Sequence, residues 1–402
     1  MKLTSIIVAI ITCLTINLVQ AQSFKNLNAQ ANNYSALVHS SNALYIVGDA
    51  WQTDGSRYML FKSSDEGSTW NNVLIGPKGS SFSSVVFAGD TGFVIGNVSS
   101  LYRTFNGGQT WDTVKSFGNF TYGYSVMTVD QGKTYLTVSG SANGPKAGAD
   151  STLHFYVSQD YGETWTSQII DRNYFVPQKL IMNGNNGFIL GNDYSNAKKG
   201  YVDAVLLKTT DGGQTWQKEF IDCGCGSVTS IDIQVSQGWI YVLSSLSYDV
   251  KILQRRQTNA SGWENVNINL MTNSYIEGFL LNDNDLYLVG DNGMAFRSDS
   301  ITKPDFLTRF KSTQLSVPVM ENLLTIDFFK NHYYVGMAGF ILKSDYVPTD
   351  PTGIRNNFSS NKLGDKYFYN LLGQPISDKF DNLSEGIYIK DGRKILKSHT
   401  NR

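Results

Sequence analysis

The octet TTDGGQTW occupies residues 209–216, and the chain contains three close variants of it. These are SSDEGSTW at 63–70, TFNGGQTW at 104–111 and SQDYGETW at 158–165. Each copy lies between two short runs rich in β-branched and aromatic residues, a pattern typical of a turn between two strands. One turn repeated about every 40–55 residues indicates a repeat architecture built from four-stranded units.

The runs around the octets extend this unit over most of the chain. An apolar strand precedes each octet region, as ALYIVGD (43–49), GFVIGN (92–97), KTYLTVSG (133–140), GFILGN (187–192), WIYVLSS (239–245), DLYLVGD (285–291) and HYYVGM (332–337). A second strand follows each time, and a decayed octet, TNASGW (258–263), falls where the pattern expects one. The seventh unit runs into YVPTDPTG without a fourth strand, whereas SFKNLNA near the N-terminus is a spare strand. We therefore expect an all-β, seven-bladed β-propeller in which the N-terminal strand closes the last blade and removes exposed sheet edges.

The octet side chains suit a tight turn. An Asp or Asn can accept hydrogen bonds from backbone N–H groups, and the Gly two residues later can adopt positive φ. A Trp then packs between blades. The predicted structural residues are Asp65, Gly67, Trp70, Asn106, Gly108, Trp111, Asp160, Gly162, Trp165, Asp211, Gly213 and Trp216. Calcium binding is the alternative, but each octet has one or two acidic residues, far fewer than the six to eight oxygens calcium takes.

The pattern S/T-x-D-x-G-x-T-W resembles the Asp-box, or BNR repeat, of sialidase-like propellers. VGDNGMAFRSD and VGMAGFILKSD resemble the Ycf48-type propeller repeat of photosystem II assembly factors. The resemblance covers residues 40–345 and implies the propeller fold. It implies little about function, because Asp-boxes occur in enzymes and in binding modules.

Both ends of the chain indicate export. Residues 1–21 read as a signal peptide, with Lys2, an apolar run and a small-residue cleavage site at Ala21. The propeller is expected over 22–347, a linker over 348–361 and a C-terminal β module over 362–402. YNLLGQ (369–374) and GIYIKDGRKILK (386–397) resemble the sorting domain of type IX secretion substrates in Bacteroidetes. This resemblance implies a protein that is secreted or held at the outer cell surface, with the type IX machinery as a partner; a tail without an export role is the alternative.

Composition excludes some functions. The 33 basic and 34 acidic residues give a net charge of −1, so no nucleic-acid partner is expected. No run outside the signal peptide is long enough for a transmembrane span.

Cys223 and Cys225 are read as a thiol pair or a local disulfide in a loop, with a redox or metal pair as the alternative. We expect no cofactor and no metal site.

Strand order places the long connections together on one face, opposite the octets; we call it the loop face. Long loops on a rigid ring are where recognition is expected. The candidate binding residues are aromatics that could stack on sugars or peptide side chains, namely Trp51, Tyr122, Tyr124, Tyr174, Tyr194 and Tyr275.

The favoured hypothesis is a non-catalytic propeller that binds an extracellular glycan or protein, or acts in assembly; whether it is an enzyme stays open, leaning towards none. The alternative is a divergent sialidase-like or glucanase-like glycoside hydrolase with a carboxylate pair on the loop face. Its candidates are Asp54, Asp150, Asp193, Asp203 and Asp222. No pair is singled out by spacing, and the arginine motif of sialidases is absent.

Overall fold

The structure is a computed structural model. It describes residues 24–27, 33–52, 55–78, 82–96, 101–114, 122–141, 152–172, 175–196, 201–221, 227–247, 250–266, 276–282, 285–290, 295–298, 313–314, 323–330, 332–337, 340–344, 368–369, 375–377, 386–390 and 393–397. Every regular element in these ranges is a β-strand. The contacts within the chain divide it into two compact units, Met1–Tyr346 and Val347–Arg402.

Groups of four strands form the sheets of the larger unit, which we call blades. Strand β1 (Phe24–Leu27) belongs to the last of them. Blade 1 contains β2 (Asn33–His39), β3 (Leu44–Gln52), β4 (Gly55–Ser63) and β5 (Asn71–Ile75). Blade 2 contains β6 (Phe82–Ala88), β7 (Thr91–Gly96), β8 (Leu101–Thr104) and β9 (Asp112–Val114). Blade 3 contains β10 (Tyr122–Asp130), β11 (Lys133–Ser141), β12 (Thr152–Ser158) and β13 (Thr166–Asp171).

The next blades repeat the order. Blade 4 contains β14 (Phe175–Asn183), β15 (Asn186–Asp193), β16 (Asp203–Thr209) and β17 (Gln217–Phe220). Blade 5 contains β18 (Thr229–Ser236), β19 (Trp239–Ser247), β20 (Val250–Gln257) and β21 (Glu264–Asn265). Blade 6 contains β22 (Ile276–Asn282), β23 (Asp285–Gly290), β24 (Ala295–Ser298) and β25 (Thr313–Gln314). All pairings between successive strands are antiparallel.

Blade 7 combines the two ends of the unit. It contains β26 (Leu323–Phe329), β27 (His332–Met337) and β28 (Phe340–Ser344), and β1 supplies its fourth strand. Strand β1 pairs antiparallel with β28, so that Phe24 lies opposite Ser344 and Leu27 opposite Ile341. The side chain of Phe24, expected where other units carry Trp, lies outside the described residues.

The blades follow one another around a closed path. The first strand of each blade contacts the first strand of the next, in the order β2, β6, β10, β14, β18, β22 and β26, and β26 contacts β2. The described residues thus form an all-β propeller with four-stranded blades, as the sequence predicts.

The core lies between the blades. Residues along β15 are buried from the second position to the last, and β7 and β23 show the same pattern. Because both faces of each blade pack against neighbours, these strands are continuous hydrophobic runs rather than alternating ones. The outer strands β9, β13 and β17 are mostly exposed or half-buried.

The smaller unit contains one sheet. Its strands are β29 (Phe368–Tyr369), β30 (Pro375–Ser377), β31 (Gly386–Lys390) and β32 (Arg393–Lys397), in the spatial order β30-β29-β31-β32. The longest pairing joins β31 and β32, with Gly386 opposite Lys397. A four-stranded module therefore follows the propeller, with its side chains outside the described set.

Candidate functional site

Each octet closes its turn through the same hydrogen bonds. In blade 4, the Thr209 hydroxyl donates to Asp211 Oδ1 (2.7 Å) and accepts from the Gly213 N–H (2.9 Å). Thr215 donates to Asp211 twice, from its N–H to Oδ1 (2.9 Å) and from its hydroxyl to Oδ2 (2.6 Å). Equivalent bonds occur at Ser63, Asp65, Gly67 and Thr69 and at Ser158, Asp160, Gly162 and Thr164. The octet at Thr104, Asn106, Gly108 and Thr110 differs in one bond, because Asn106 Nδ2 donates to the Thr110 hydroxyl. The octets are thus turns closed by hydrogen bonds among their own Ser or Thr, Asp or Asn, and Gly residues.

The turn also needs two consecutive residues with positive φ. The octet glycines have φ values of 75–90°, as expected from the sequence. The residue before each glycine is also left-handed, with φ 58° at Glu66, 60° at Gly107, 54° at Tyr161 and 75° at Gly212. The sequence pattern did not predict the positive φ at this second position or the hydrogen bonds of the Thr at the seventh octet position.

The octet carboxylates are held ionised by their own turn. Hydrogen bonds from the Thr164 hydroxyl and N–H lower the pKa of Asp160 to about 2. Those from Thr215 do the same for Asp211, also to about 2, and the pKa of Asp65 is lowered by Thr69. A carboxylic acid that must donate a proton near neutral pH needs a raised pKa. These groups are therefore unsuited to acid catalysis.

The octet Trp residues differ in burial, which corrects the expectation that all four rings are buried between blades. Trp70 is 7% exposed and packs with Phe329, Tyr334 and Ile341 of blade 7. The side chains of Trp111, Trp165 and Trp216 are half-buried and pack at the edges of their clusters. Sequence pattern marks a residue as facing the neighbouring blade, but the depth of that contact depends on how the outer strands pack.

Glycine is required at the octet for packing as well as for φ. A Cβ at Gly213 would lie 2.4 Å from the Phe155 ring of blade 3. Trp216 meets the same ring edge-on, with centroids 5.1 Å apart. The octet of one blade thus fits against an aromatic side chain of the blade before it.

On the loop face, the structure brings Tyr124 and Tyr194 together. Tyr124 lies near the start of β10 in blade 3 and is 49% exposed. Tyr194 directly follows β15 in blade 4 and is half-buried. Burial raises the pKa of Tyr194, and the neighbouring Tyr124 raises it further. Two of the six candidate aromatics therefore lie near each other across the junction of blades 3 and 4.

The side chains of the other four candidate aromatics lie outside the described set. Trp51 lies in β3 and Tyr122 begins β10, but their side chains are outside the described set. Tyr174 and Tyr275 lie outside the described residues, as do Cys223 and Cys225 and the carboxylates Asp54, Asp150 and Asp222.

An ion-pair network lies beside the tyrosines. The Lys218 ammonium donates to Asp171 Oδ2 of blade 3 (2.8 Å) and to Asp193 Oδ2 of blade 4 (2.6 Å). The Asp193 side chain is 3% exposed, and its Oδ1 accepts the Ser195 N–H at 2.7 Å. Burial alone would raise the pKa of Asp193, but the bonds from Lys218 and Ser195 outweigh it and the pKa is lowered. Lys218 thus joins carboxylates from two adjacent blades and helps to hold the buried Asp193 in its charged form.

A groove opens at the outer strands of the same junction. Its volume is about 340 Å³, and it is lined by Ile169, Ile170, Asp171, Arg172, Leu207, Trp216 and Lys218. Asp171 and Lys218 of the ion-pair network therefore line an open groove together with apolar side chains of the same junction.

The described arginines do not converge as a sialidase site would require. Arg103 pairs with Glu163 (2.7 Å), Arg256 with Glu219 (2.5 Å) and Arg297 with Asp285 (2.6 Å). Arg255 lies over the Trp239 ring at 4.4 Å. These four belong to blades 2, 5 and 6 and are engaged within or between strands, so within the described part of the chain they form no carboxylate clamp.

Among the described residues, no group of three or more His, Cys, Asp or Glu side chains is arranged to hold a metal ion. Within the same ranges, no helix is long and apolar enough to cross a bilayer.

Comparison with known proteins supports the fold. The family model described as Sortilin, neurotensin receptor 3 matches residues 58–251, a little under half of the chain. No curated protein matches the sequence.

Solved structures are similar over most of the chain. YCF48 bound to D1 peptide shares 16% identity, with a TM-score of 0.56 over 81% of this chain and 95% of that one. YCF48 from Cyanidioschyzon merolae also shares 16% identity, with a TM-score of 0.55 over 80% and 98%. A puromycin hydrolase S511A mutant complexed with PGG shares 11%, with a TM-score of 0.57 over 81% of this chain and 56% of that chain. At these identities the likeness establishes the β-propeller fold alone.

Proposed function

We propose that this chain is a secreted or cell-surface, seven-bladed propeller that binds an extracellular glycan or protein and catalyses no reaction. The observation that carries the proposal is the exposed ring of Tyr124 on the loop face, with Tyr194 of the next blade near enough to affect it electrostatically. Tyr124 leaves nearly half of its area in solvent, and its neighbour belongs to a different blade. An aromatic surface with polar tips, fixed on a rigid scaffold, is typical of recognition sites.

The octets act as structural turns in this proposal, and the loop face carries recognition. The Asp or Asn of each octet is hydrogen-bonded within its own turn. The Lys218 network beneath the tyrosines fixes the ends of β13 and β15, so the surface is preorganised before a ligand arrives. A protein or peptide ligand gains support from the fold, because one similar propeller was solved as YCF48 bound to D1 peptide.

Export rests on the two ends of the sequence. The predicted signal peptide (1–21) would direct the chain across the inner membrane, and the module at 362–402 would direct it through the type IX machinery. Removal of residues 362–402 should leave the propeller inside the cell envelope. Fractionation of cells expressing the full and shortened chains would measure this, and normal release of the shortened chain would contradict a sorting role.

The binding proposal is tested with the mature full-length chain on a glycan array, in parallel with a panel of chromogenic glycosides and a peptide array. We expect binding without turnover, and Tyr124→Ser should weaken it because the exposed ring is lost. A matched control is Phe220→Ser, which removes another exposed aromatic from an outer strand of blade 4. An equal loss of binding in both variants, or no loss in either, would contradict the assignment of ligand binding to the loop face.

A glycoside hydrolase is the second candidate, since Asp171 and Asp193 both contact Lys218 Nζ and are therefore close enough to act as a pair. A hydrolase needs one carboxyl that keeps its proton near neutral pH, whereas the pKa of Asp193 is lowered. We expect no turnover. Hydrolysis of any glycoside that is lost in Asp193→Asn would replace the binding proposal.

A further inference from the structure

The four octets provide an internal comparison for surface residues on the face opposite the loops, which we call the octet face. The second octet position is Ser64, Gln159 or Thr210 in three copies but Phe105 in blade 2. The fourth position is Glu66, Gly107 or Gly212 in three copies but Tyr161 in blade 3. The turn itself requires neither aromatic residue, since the other copies close the same hydrogen bonds without one.

The two exceptions lie against each other. Phe105 is 52% exposed and Tyr161 is 40% exposed, and their ring centroids are 6.2 Å apart with the planes at 80°. Their blades are adjacent, so the pair exists only because both substitutions occur in neighbouring octets. Single exposed aromatics are common on surfaces, but a pair assembled across two repeats suggests a binding surface.

Tyr161 adopts a backbone conformation that does not suit it. Its φ of 54° falls in the left-handed region, where Gly107 and Gly212 occur in two other octets. A bulky aromatic residue in that region is uncommon; the only other side chain at this octet position is that of Glu66, with φ 58°. An aromatic residue at a position where two sister octets have glycine is consistent with a role beyond turn formation.

Arg103 supports both rings from below. Its side chain is 9% exposed, and its guanidinium lies 4.6 Å from the centroid of Phe105. The same guanidinium donates to the Tyr161 carbonyl (2.8 Å) and to Glu163 Oε1 (2.7 Å). The corresponding residues are Lys62, Val157 and Lys208, none of which can stack and donate as a planar fork. The aromatic pair is therefore held in place before any ligand binds.

The size and charge of the surroundings indicate the ligand class. The exposed parts of both rings amount to on the order of 200 Å², far below the roughly 800 Å² that each partner buries in a stable protein complex. One or two sugar rings would cover that area, with their C–H groups against the ring faces. Glu163 is 63% exposed and, with Asp160, gives the octet two carboxylates beside one guanidinium. This excess of negative charge favours an uncharged sugar over an acidic one.

We propose that Phe105 and Tyr161 form a carbohydrate-binding platform on the octet face for the pyranose rings of neutral polysaccharides. Glu163 keeps acceptor capacity for sugar hydroxyls beyond its bond to Arg103. The platform lies at the opposite ends of the strands from Tyr124 and Tyr194, so it does not depend on the function proposed for the loop face.

The test exchanges the two residues for those of the sister octets. The variant Phe105→Thr with Tyr161→Gly carries residues found at 210 and 212, in turns that keep the same hydrogen bonds. Cellohexaose, laminarihexaose and mannohexaose, with hexagalacturonic acid as the acidic comparison, are titrated into the mature full-length chain and its variants by calorimetry. We expect at least one neutral hexasaccharide to bind the natural chain, and the variant to bind it roughly tenfold more weakly or worse.

Two controls keep the result specific. Phe220→Ser removes an exposed aromatic elsewhere and should leave this affinity unchanged. Thermal unfolding should show the exchanged variant at least as stable as the natural chain, because Tyr161→Gly removes the unfavourable φ. The proposal is overturned if no neutral hexasaccharide binds, if hexagalacturonic acid binds more tightly, or if the exchanged variant binds like the natural chain.

Discussion

The junction of blades 7 and 1 differs from the junction of blades 3 and 4 in what fills it. At the first, Trp70 is buried among blade 7 residues, Lys343 pairs with Glu66 (2.7 Å) and His39 pairs with Asp327 (2.8 Å). At the second, Trp216 is half-buried and Gln168 donates to the Gly213 carbonyl. Blade 3 has the uncharged Val157 at the strand position where blade 7 has Lys343. Lys218 then joins the two blades at their outer strands.

The difference reflects how the chain crosses each junction. Between blades 3 and 4 the chain passes from one completed blade to the next. Between blades 7 and 1 it passes from β1, which pairs through its backbone with β28 of blade 7. Because β1 must stay paired for the ring to remain closed there, that junction gains most from dense packing. The junction of blades 3 and 4 is secured by the continuous chain and leaves room for a groove and for the exposed Tyr124.

The largest expected effect contrasts the two tryptophans. Trp70→Ala should lower the free energy of unfolding by about 3–5 kcal/mol, and Trp216→Ala by about half as much, because only Trp70 is fully buried. Chemical denaturation of both variants measures this. Equal losses would mean that the two junctions are packed alike.

Phenylalanine variants sharpen the same contrast. No described residue accepts the Trp70 Nε1–H, whereas Trp216 Nε1 donates to the Gly213 carbonyl at 3.1 Å. Trp70→Phe removes a buried unpaired donor and should cost less than Trp70→Ala by a wide margin. Trp216→Phe loses a hydrogen bond worth about 1 kcal/mol.

A second prediction concerns the Lys218 ion pairs at the junction of blades 3 and 4. Lys218→Met leaves Asp171 and the buried Asp193 without their cation and should cost about 3–5 kcal/mol at neutral pH. Because the folded-state pKa of Asp193 is lowered, its contribution is present above the unfolded value near 3.8 and is lost as pH falls through the folded value.

The check is denaturation at neutral and acidic pH. The natural chain and Lys218→Met should differ most at neutral pH and converge on acidification. Lys343→Met at the other junction is the matched control and should cost less than about 1 kcal/mol, since Glu66 is 36% exposed. A control variant that is as damaging as Lys218→Met would contradict the comparison.

The smallest effect concerns His39. The hydrogen bond with Asp327 raises its pKa, burial opposes this, and the Asp327 charge adds to the rise. A raised folded-state pKa means that the contribution is complete below the unfolded value of 6.5 and is lost as pH rises through the folded value. His39 is 42% exposed, so the contribution stays below about 1 kcal/mol. His39→Gln should abolish this part of the pH dependence in thermal unfolding, and an unchanged pH profile would show that the pair is not formed.

The local sequence pattern was sufficient to predict the four-stranded blades, but it was insufficient to predict which side chains meet between blades. The octet and its flanking apolar runs predicted four-stranded blades, because strand and turn signals act between residues close in sequence. The pairing of Lys218 with Asp171 and Asp193 joins residues of different strands, and no local period encodes it. The proximity of Tyr124 to Tyr194 likewise follows from the packing of two blades. Burial of the octet Trp residues was overestimated at three positions for the same reason.

The pairing of β1 with β28 has a consequence for when the molecule can fold. Phe24 finds its partner, Ser344, only after nearly the whole unit has emerged, and closing so long a loop is entropically costly and slow. A chain that emerges from its N-terminus therefore stays open until its last blade arrives. Ring closure is then the last step of folding, and a circular permutant with new ends between blades 3 and 4 would move that step to their junction.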